Sequence, residues 1–187
     1  ATQDDINAAI IVLDVANVEQ AKTIAEASLG AIDFRLGIED SAANLALANG
    51  TIDDSLKAAT AVTGDSDVDI KVTTAANVAQ ASTIAKASTG TIDFAAGIED
   101  TADSMAAATT VQNGATAGDE TAGFTAATDD DTGTVVVVTT AANVAQANAI
   151  ALATTGLVTF QAGITDDISA MVNGGNATIA FVNATDG

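Results

Sequence analysis

The chain has no cysteine, no histidine, no proline, no tryptophan and no tyrosine, and only five lysines and arginines together. Each absence removes a class of function. Without cysteine there is no disulfide and no thiolate metal site. Without histidine, the commonest general base and the commonest metal ligand are both missing, and no serine or threonine has an imidazole to activate it. Five basic residues are too few for a phosphate site, and the glycines follow no phosphate-loop pattern. Set against 25 acidic residues, they leave a net charge of −20, which repels nucleic acid and anionic membrane surfaces. No apolar run approaches the length of a membrane span. Carboxylates are so abundant that a pair of them identifies no acid–base chemistry. The expectation is a chain that is not an enzyme, with no nucleic-acid partner and no membrane insertion.

What is present is small and repeated. The 187 residues are 48% hydrophobic but only 3% aromatic, and alanine supplies much of the apolar content. Each alanine buries little area, so a core of this kind needs many small contacts. Repetition is one way to supply them. The stretch Val72–Asp100 has one copy sixty residues earlier, Leu13–Asp40, and another sixty-six residues later, Val138–Asp166. Val72–Ala81 recurs letter for letter as Val138–Ala147, and 17 of 24 positions match between Asn17–Asp40 and Asn77–Asp100. Such periodicity marks a repeat protein. The units divide the chain into 1–62, 63–132 and 133–187, the last carrying a terminal strand.

Within each unit the residue pattern sets the elements. Ala8–Leu13 reads as a buried strand, and Val68, Ile70 and Val72 alternate with polar residues as a half-buried strand does. Asn17 with Gln20, Asn77 with Gln80 and Asn143 with Gln146 have the spacing of capping boxes. Helices of about a dozen residues follow, with Val78, Ala81, Ile84 and Ala85 on one face. Gly30, Gly90 and Gly156 are expected to end them as left-handed caps. Ala31–Ile38, Thr91–Ile98 and Leu157–Ile164 then read as strands, and Asp40, Asp100 and Asp166 as N-caps of shorter helices. Ile52–Ala61 is a further helical stretch. The connection Thr109–Gly133 is a loop or an inserted hairpin. Asn173–Asn176 is a turn, and Ala177–Val182 reads as a terminal strand that resembles the start of a fourth unit. The fold class is therefore α/β: three tandem strand–helix–strand–helix repeats in two layers, helices on one face of the sheet or sheets, plus a C-terminal strand. Strands joined through a helix are expected to be parallel. Whether the units share a sheet or stack as lobes stays open.

The motif Asn-Val-Ala-Gln-Ala, followed by Gly-Thr-Ile-Asp-Phe and Ile-Glu-Asp-Thr-Ala, resembles the repeat units of giant secreted or cell-surface bacterial proteins, whose pattern is TVAQA … DTAANL. Asn17, Asn77 and Asn143 stand where that pattern has Thr. Asp40–Leu45 is close to its DTAANL segment, Asp100–Met105 is looser, and Asp166–Met171 departs further. The resemblance covers about 30 residues per copy, or half the chain. It implies a module of a large surface protein or a subunit of an extracellular assembly, with no enzymatic activity.

Two acidic clusters are candidate calcium sites, calcium being the one cofactor expected as an option. Asp65, Asp67 and Asp69 begin like an EF-hand loop, but Ile70 stands where the loop needs Gly and Ala76 where it needs Glu. Asp129, Asp130 and Asp131 offer carboxylates beside Gly133. Asn49, Asn176 and Asn183 fit the glycosylation acceptor pattern. The candidate assembly residues are apolar strand residues near the two ends: Ile10, Ile11 and Val12, and Ile179, Phe181 and Val182. The function expected is an extracellular or cell-surface structural protein that self-assembles into a filament or surface layer through strand-edge contacts. Its partners are copies of itself or neighbouring repeats of a larger chain. The alternative is a calcium-stabilised extender or ligand-binding module of a larger adhesin.

Overall fold

The computed structural model describes residues 8–61, 64–110, 133–178 and 180–182. Each unit opens on a short strand: β1 (Ile10–Val12), β4 (Ile70–Val72) and β7 (Val136–Val138). A helix follows each: α1 (Val18–Ala27), α4 (Val78–Ala85) and α6 (Val144–Leu152). All three helices start with a complete capping box, as the sequence predicts. The chain returns as β2 (Ile32–Phe34), β5 (Ile92–Asp93) and β8 (Val158–Phe160), each parallel to the strand that opened its unit. The spacing is constant. Ile10 pairs with Ile32, Ile70 with Ile92, and Val136 with Val158, 22 residues on in every case.

The segments Ala31–Ile38 and Thr91–Ile98 are not single strands. Each breaks at a turn that ends in a positive-φ glycine, Gly37 or Gly97, and then resumes as β3 (Ile38–Asp40) or β6 (Ile98–Asp100). Leu36, which the alternation places in the core, is 58% exposed because it lies in that turn. Leu157–Ile164 breaks in the same way before Gly163, and Ile164 then bridges Ala142. The first two units are thus strand–helix–strand–turn–strand–helix, and in the third the last strand is reduced to the bridge at Ile164.

Short helices follow: α2 (Ala42–Leu45) and α3 (Asp54–Ala59) in the first unit, α5 (Ala102–Thr110) in the second, and α7 (Ile168–Met171) in the third. The third unit then makes an antiparallel hairpin of β9 (Val172–Asn173) and β10 (Asn176–Ala177), turning at Gly174 and Gly175. Of the strand expected over Ala177–Val182, only Ala177 is in a strand among the described residues. Residues 180–182 are helical, and the Val182 amide donates to the Thr178 carbonyl at 3.0 Å. Residues 111–132, which hold most of the long connection and Asp129–Asp131, lie outside the described residues.

The fold is a two-layer α/β arrangement whose sheets are parallel apart from the β9–β10 hairpin. Ile70, Val72, Ile92, Val136 and Val138 are buried on the side toward the helices, while Lys71 and Asp93 face outward. The helices approach closely because they present small residues: Ala21, Ala81 and Ala147 are completely buried at equivalent positions. One continuous core runs from Ala16 to Val158. No helix among the described residues is long and apolar enough to cross a membrane.

Candidate assembly edges

The units are joined by strand pairing. β3 of the first unit lies parallel to β4 of the second, in the register Ile38↔Ile70, Glu39↔Lys71, Asp40↔Val72. β6 and β7 repeat this as Ile98↔Val136, Glu99↔Val137, Asp100↔Val138. The backbone bonds agree in detail. Ile38 N–H donates to the Asp69 carbonyl at 2.9 Å and Thr73 N–H to the Asp40 carbonyl at 2.8 Å. Ile98 N–H donates to Val135 at 2.8 Å and Thr139 N–H to Asp100 at 2.9 Å. A threonine hydroxyl completes each junction: Thr74 Oγ1 accepts from Ala42 N–H at 3.0 Å, and Thr140 Oγ1 from Ala102 N–H at 2.9 Å. On the outer face Lys71 Nζ sits 3.4 Å from Glu39 Oε1; both side chains are about half exposed, so the pair contributes little.

Side chains of the second unit's helix also grip the first unit. Ala46 and Ile52 pair in a small hairpin. Gln80 Nε2 donates to the Ala46 carbonyl at 2.8 Å, Asn77 Nδ2 to Ala48 at 2.9 Å, and Thr83 Oγ1 to Gly50. The capping residues therefore have a second task that the sequence pattern does not announce. Their oxygens close the helix N-terminus and their amide nitrogens hold the preceding unit.

Asp40, Asp100 and Asp166 are not the N-caps of the short helices. Ser41 caps α2, Thr101 Oγ1 accepts from Ser104 N–H, and Asp167 stands at the cap position of α7. Each aspartate reaches back 22 residues to the first amide of the long helix: Asp40 Oδ2 to Val18 N–H (3.1 Å), Asp100 Oδ2 to Val78 N–H (3.1 Å), Asp166 Oδ2 to Val144 N–H (3.0 Å). The negative charge still meets a helix N-terminus, but of the other helix. The repeated aspartates are thus fold determinants.

Gly30, Gly90 and Gly156 are not left-handed either. Gly90 is needed for close approach: a Cβ there would meet the Asp67 and Val68 carbonyls.

The acidic candidates separate. Asp65 Oδ2 accepts from the Phe34 amide at 2.7 Å, and Asp69 Oδ1 from the Thr91 amide at 2.8 Å. Burial raises the Asp65 carboxyl above its ordinary pKa, the neighbouring Asp67 raises it further, and the Phe34 N–H pulls against both. Among the described residues no three acidic side chains are grouped to hold a metal ion. Asn49 and Asn176 are exposed; Asn183 lies outside the described residues.

Comparison with known proteins returns nothing. The chain matches no family model, no curated sequence and no solved structure.

Of the assembly candidates, Ile10, Ile11 and Val12 form β1, and among the described residues no strand pairs on the side away from β2. Ile179 lies outside the described residues, and Phe181 and Val182 lie in the helical segment 180–182, so no strand edge forms there. The open edge near the C-terminus is instead Ile164–Asp166, the counterpart of β3 and β6. Ile164 bridges Ala142 on one side, and no described strand lies on the other.

Proposed function

We propose that this chain is an extracellular structural repeat protein whose copies self-assemble into a filament or surface layer through strand-edge contacts. One observation carries the reading. Its internal junctions are parallel strand pairings between edges, and among the described residues the same two kinds of edge, β1 and Ile164–Asp166, have no strand paired on their outer side. An open edge with unpaired amides and carbonyls is a template for another strand. The extracellular setting is supported by the acidity, the absence of cysteine and the resemblance to secreted repeat proteins. Nothing in the residue inventory favours catalysis. At Asp65 and Asp69 the calcium-stabilised reading draws less support, because one oxygen of each carboxylate accepts from a backbone amide.

Negative-stain electron microscopy of the purified chain at near-physiological salt tests the proposal. Regular filaments or sheets whose yield rises with protein concentration are the expected result. Isolated small particles at high concentration would overturn it.

A further inference from the structure

We infer that copies of this chain dock head to tail through a junction built like the two inside it. Ile164–Asp166 and the β9–β10 hairpin of one copy receive β1 and the start of α1 of the next, in the register Ile164↔Ile10, Thr165↔Ile11, Asp166↔Val12. This rests on the assembly reading and specifies its contact.

Both halves of the junction are present, and no described residue covers either. In the first two units the glycine before the inter-unit strand is overlaid by the next unit's backbone. A Cβ on Gly37 would lie 2.6 Å from the Asp69 carbonyl oxygen, and one on Gly97 would strike the Val135 carbonyl. Gly163 has the same positive φ, yet among the described residues nothing lies within 4 Å of its Cβ position. The repeat spacing puts Ala9 where Asp69 and Val135 stand. Side chains agree. Ala42 and Ala102 are each 1% exposed under the following unit, whereas their counterpart Ile168 is 80% exposed. At the other end Ile70, Val72 and Ile84, in the unit whose β4 pairs with β3, are fully buried, whereas Ile10, Val12 and Ile24 are only partly buried.

The match is specific to these two ends. The first unit carries Asn17, Gln20 and Thr23, the same three residues as Asn77, Gln80 and Thr83 that grip the Ala46–Ile52 hairpin. The third unit has Ala149 in place of that threonine. A face of this type calls for a hairpin, and the third unit ends in one: Val172 pairs with Ala177 as Ala46 pairs with Ile52. Gly174 and Gly175 at its tip have no described residue within 4 Å of their Cβ positions, whereas Gly50 in the first hairpin meets Ala79. The second unit carries α5 through Thr110 where the first has its hairpin. The last backbone partner is also supplied. Thr74 and Thr140 accept from Ala42 and Ala102, and the counterparts are Asp14, a stronger acceptor, and the amide of Ile168. The contact joins two different surfaces, so repeating it builds an open filament.

The test exploits the absence of cysteine. Ile11→Cys and Thr165→Cys are made singly at exposed positions, mixed, and oxidised at assembling concentration. The inferred register sets the two thiols directly opposite, so the hetero-linked product should exceed both homo-linked products severalfold on a non-reducing gel. The Ile11→Lys/Thr165→Glu double variant rebuilds the Glu39–Lys71 pair and should assemble. Ile11→Lys/Thr165→Lys sets like charges opposite and should raise the assembly concentration severalfold, with the melting temperature of the dilute chain unchanged. Filaments without hetero-linked excess would overturn this inference while leaving the assembly reading intact. A preference for homo-linked pairs would show a two-fold contact and overturn it also. A chain that stays monomeric and unlinked at every concentration would overturn both.

Discussion

The side-chain amide of Gln80 donates to the backbone carbonyl of Ala46 across the first junction, 2.8 Å away, and is buried there. Gln20 occupies the same place in the first unit, closes the same capping box, and is exposed. The two glutamines therefore separate capping from docking. Gln20→Ala should cost only the cap, about 0.5–1 kcal/mol. Gln80→Ala also strands the Ala46 carbonyl in the interior, which adds about 1–3 kcal/mol. Urea denaturation of the dilute chain checks this. Equal losses for the two variants would mean that the inter-unit bond contributes nothing.

Gly97 and Gly163 provide a second pair. Both have positive φ, near 80°, so alanine strains either one by about 1–2 kcal/mol. Only at Gly97 would the new methyl also strike a neighbouring strand, through the Val135 carbonyl. Gly97→Ala should lower the melting temperature of the dilute chain well below that of Gly163→Ala. Gly163→Ala should instead impair assembly. Equal melting temperatures would show that close approach at Gly97 is relaxed at no cost.

Asp65 sets a pH dependence whose sign is fixed by its environment. Its carboxyl is raised in the folded chain, first by burial and then by Asp67, so the folded state holds that proton more tightly than the unfolded one. The group therefore opposes folding at neutral pH. That penalty is relieved as pH falls through the raised value, and the relief is complete below the ordinary carboxylate value. Asp65→Asn keeps an acceptor for the Phe34 amide and removes the charge. It should match or exceed the parent melting temperature at pH 7, with the difference shrinking on acidification. Asp65→Ala should cost about 1–3 kcal/mol, because the Phe34 amide loses its partner. An Asp65→Asn variant clearly less stable at pH 7 would show that the charge itself is favourable.

The repeat and its helices were legible because capping boxes and helical apolar spacing are local signals, and Asn77 with Gln80 needs only four residues to be recognised. The strand breaks at Gly37 and Gly97 were not. A turn of three residues preserves the period-2 alternation on paper, so Ile32, Phe34, Leu36 and Ile38 look continuous while Leu36 points outward. The role of Asp40 was hidden for a related reason. An aspartate before Ser-Ala-Ala satisfies the cap rule locally, and its bond to Val18 lies 22 residues away. That interval was nonetheless available: Asp40, Asp100 and Asp166 each follow a capping Asn by a constant 23 residues. The C-terminal edge was misplaced because Ala177–Val182 has strand composition, but the hairpin before it leads into a helical turn as Ala46–Ile52 leads into α3. The proposed edge, Ile164–Asp166, stands out only when the third unit is superposed on the first two.

Assembly should be promoted by salt, because every copy added to a filament brings 20 net negative charges to an already acidic end. The attractive part of the inferred junction is backbone pairing and apolar burial around Ile164, Ile168, Ile10 and Val12, which neutral salt does not weaken. The repulsive part is long-range: the Debye length falls from about 30 Å at 0.01 M ionic strength to about 8 Å at 0.15 M. Light scattering across that range should therefore show the assembly concentration falling steeply as sodium chloride rises. Calcium should act no differently from magnesium at equal ionic strength, since Asp65 and Asp69 are engaged with backbone amides. Two outcomes would count against this account. Assembly that weakens with salt would point to a junction held by ion pairs, and a response to calcium far beyond that to magnesium would return the carboxylate clusters to the centre of the problem.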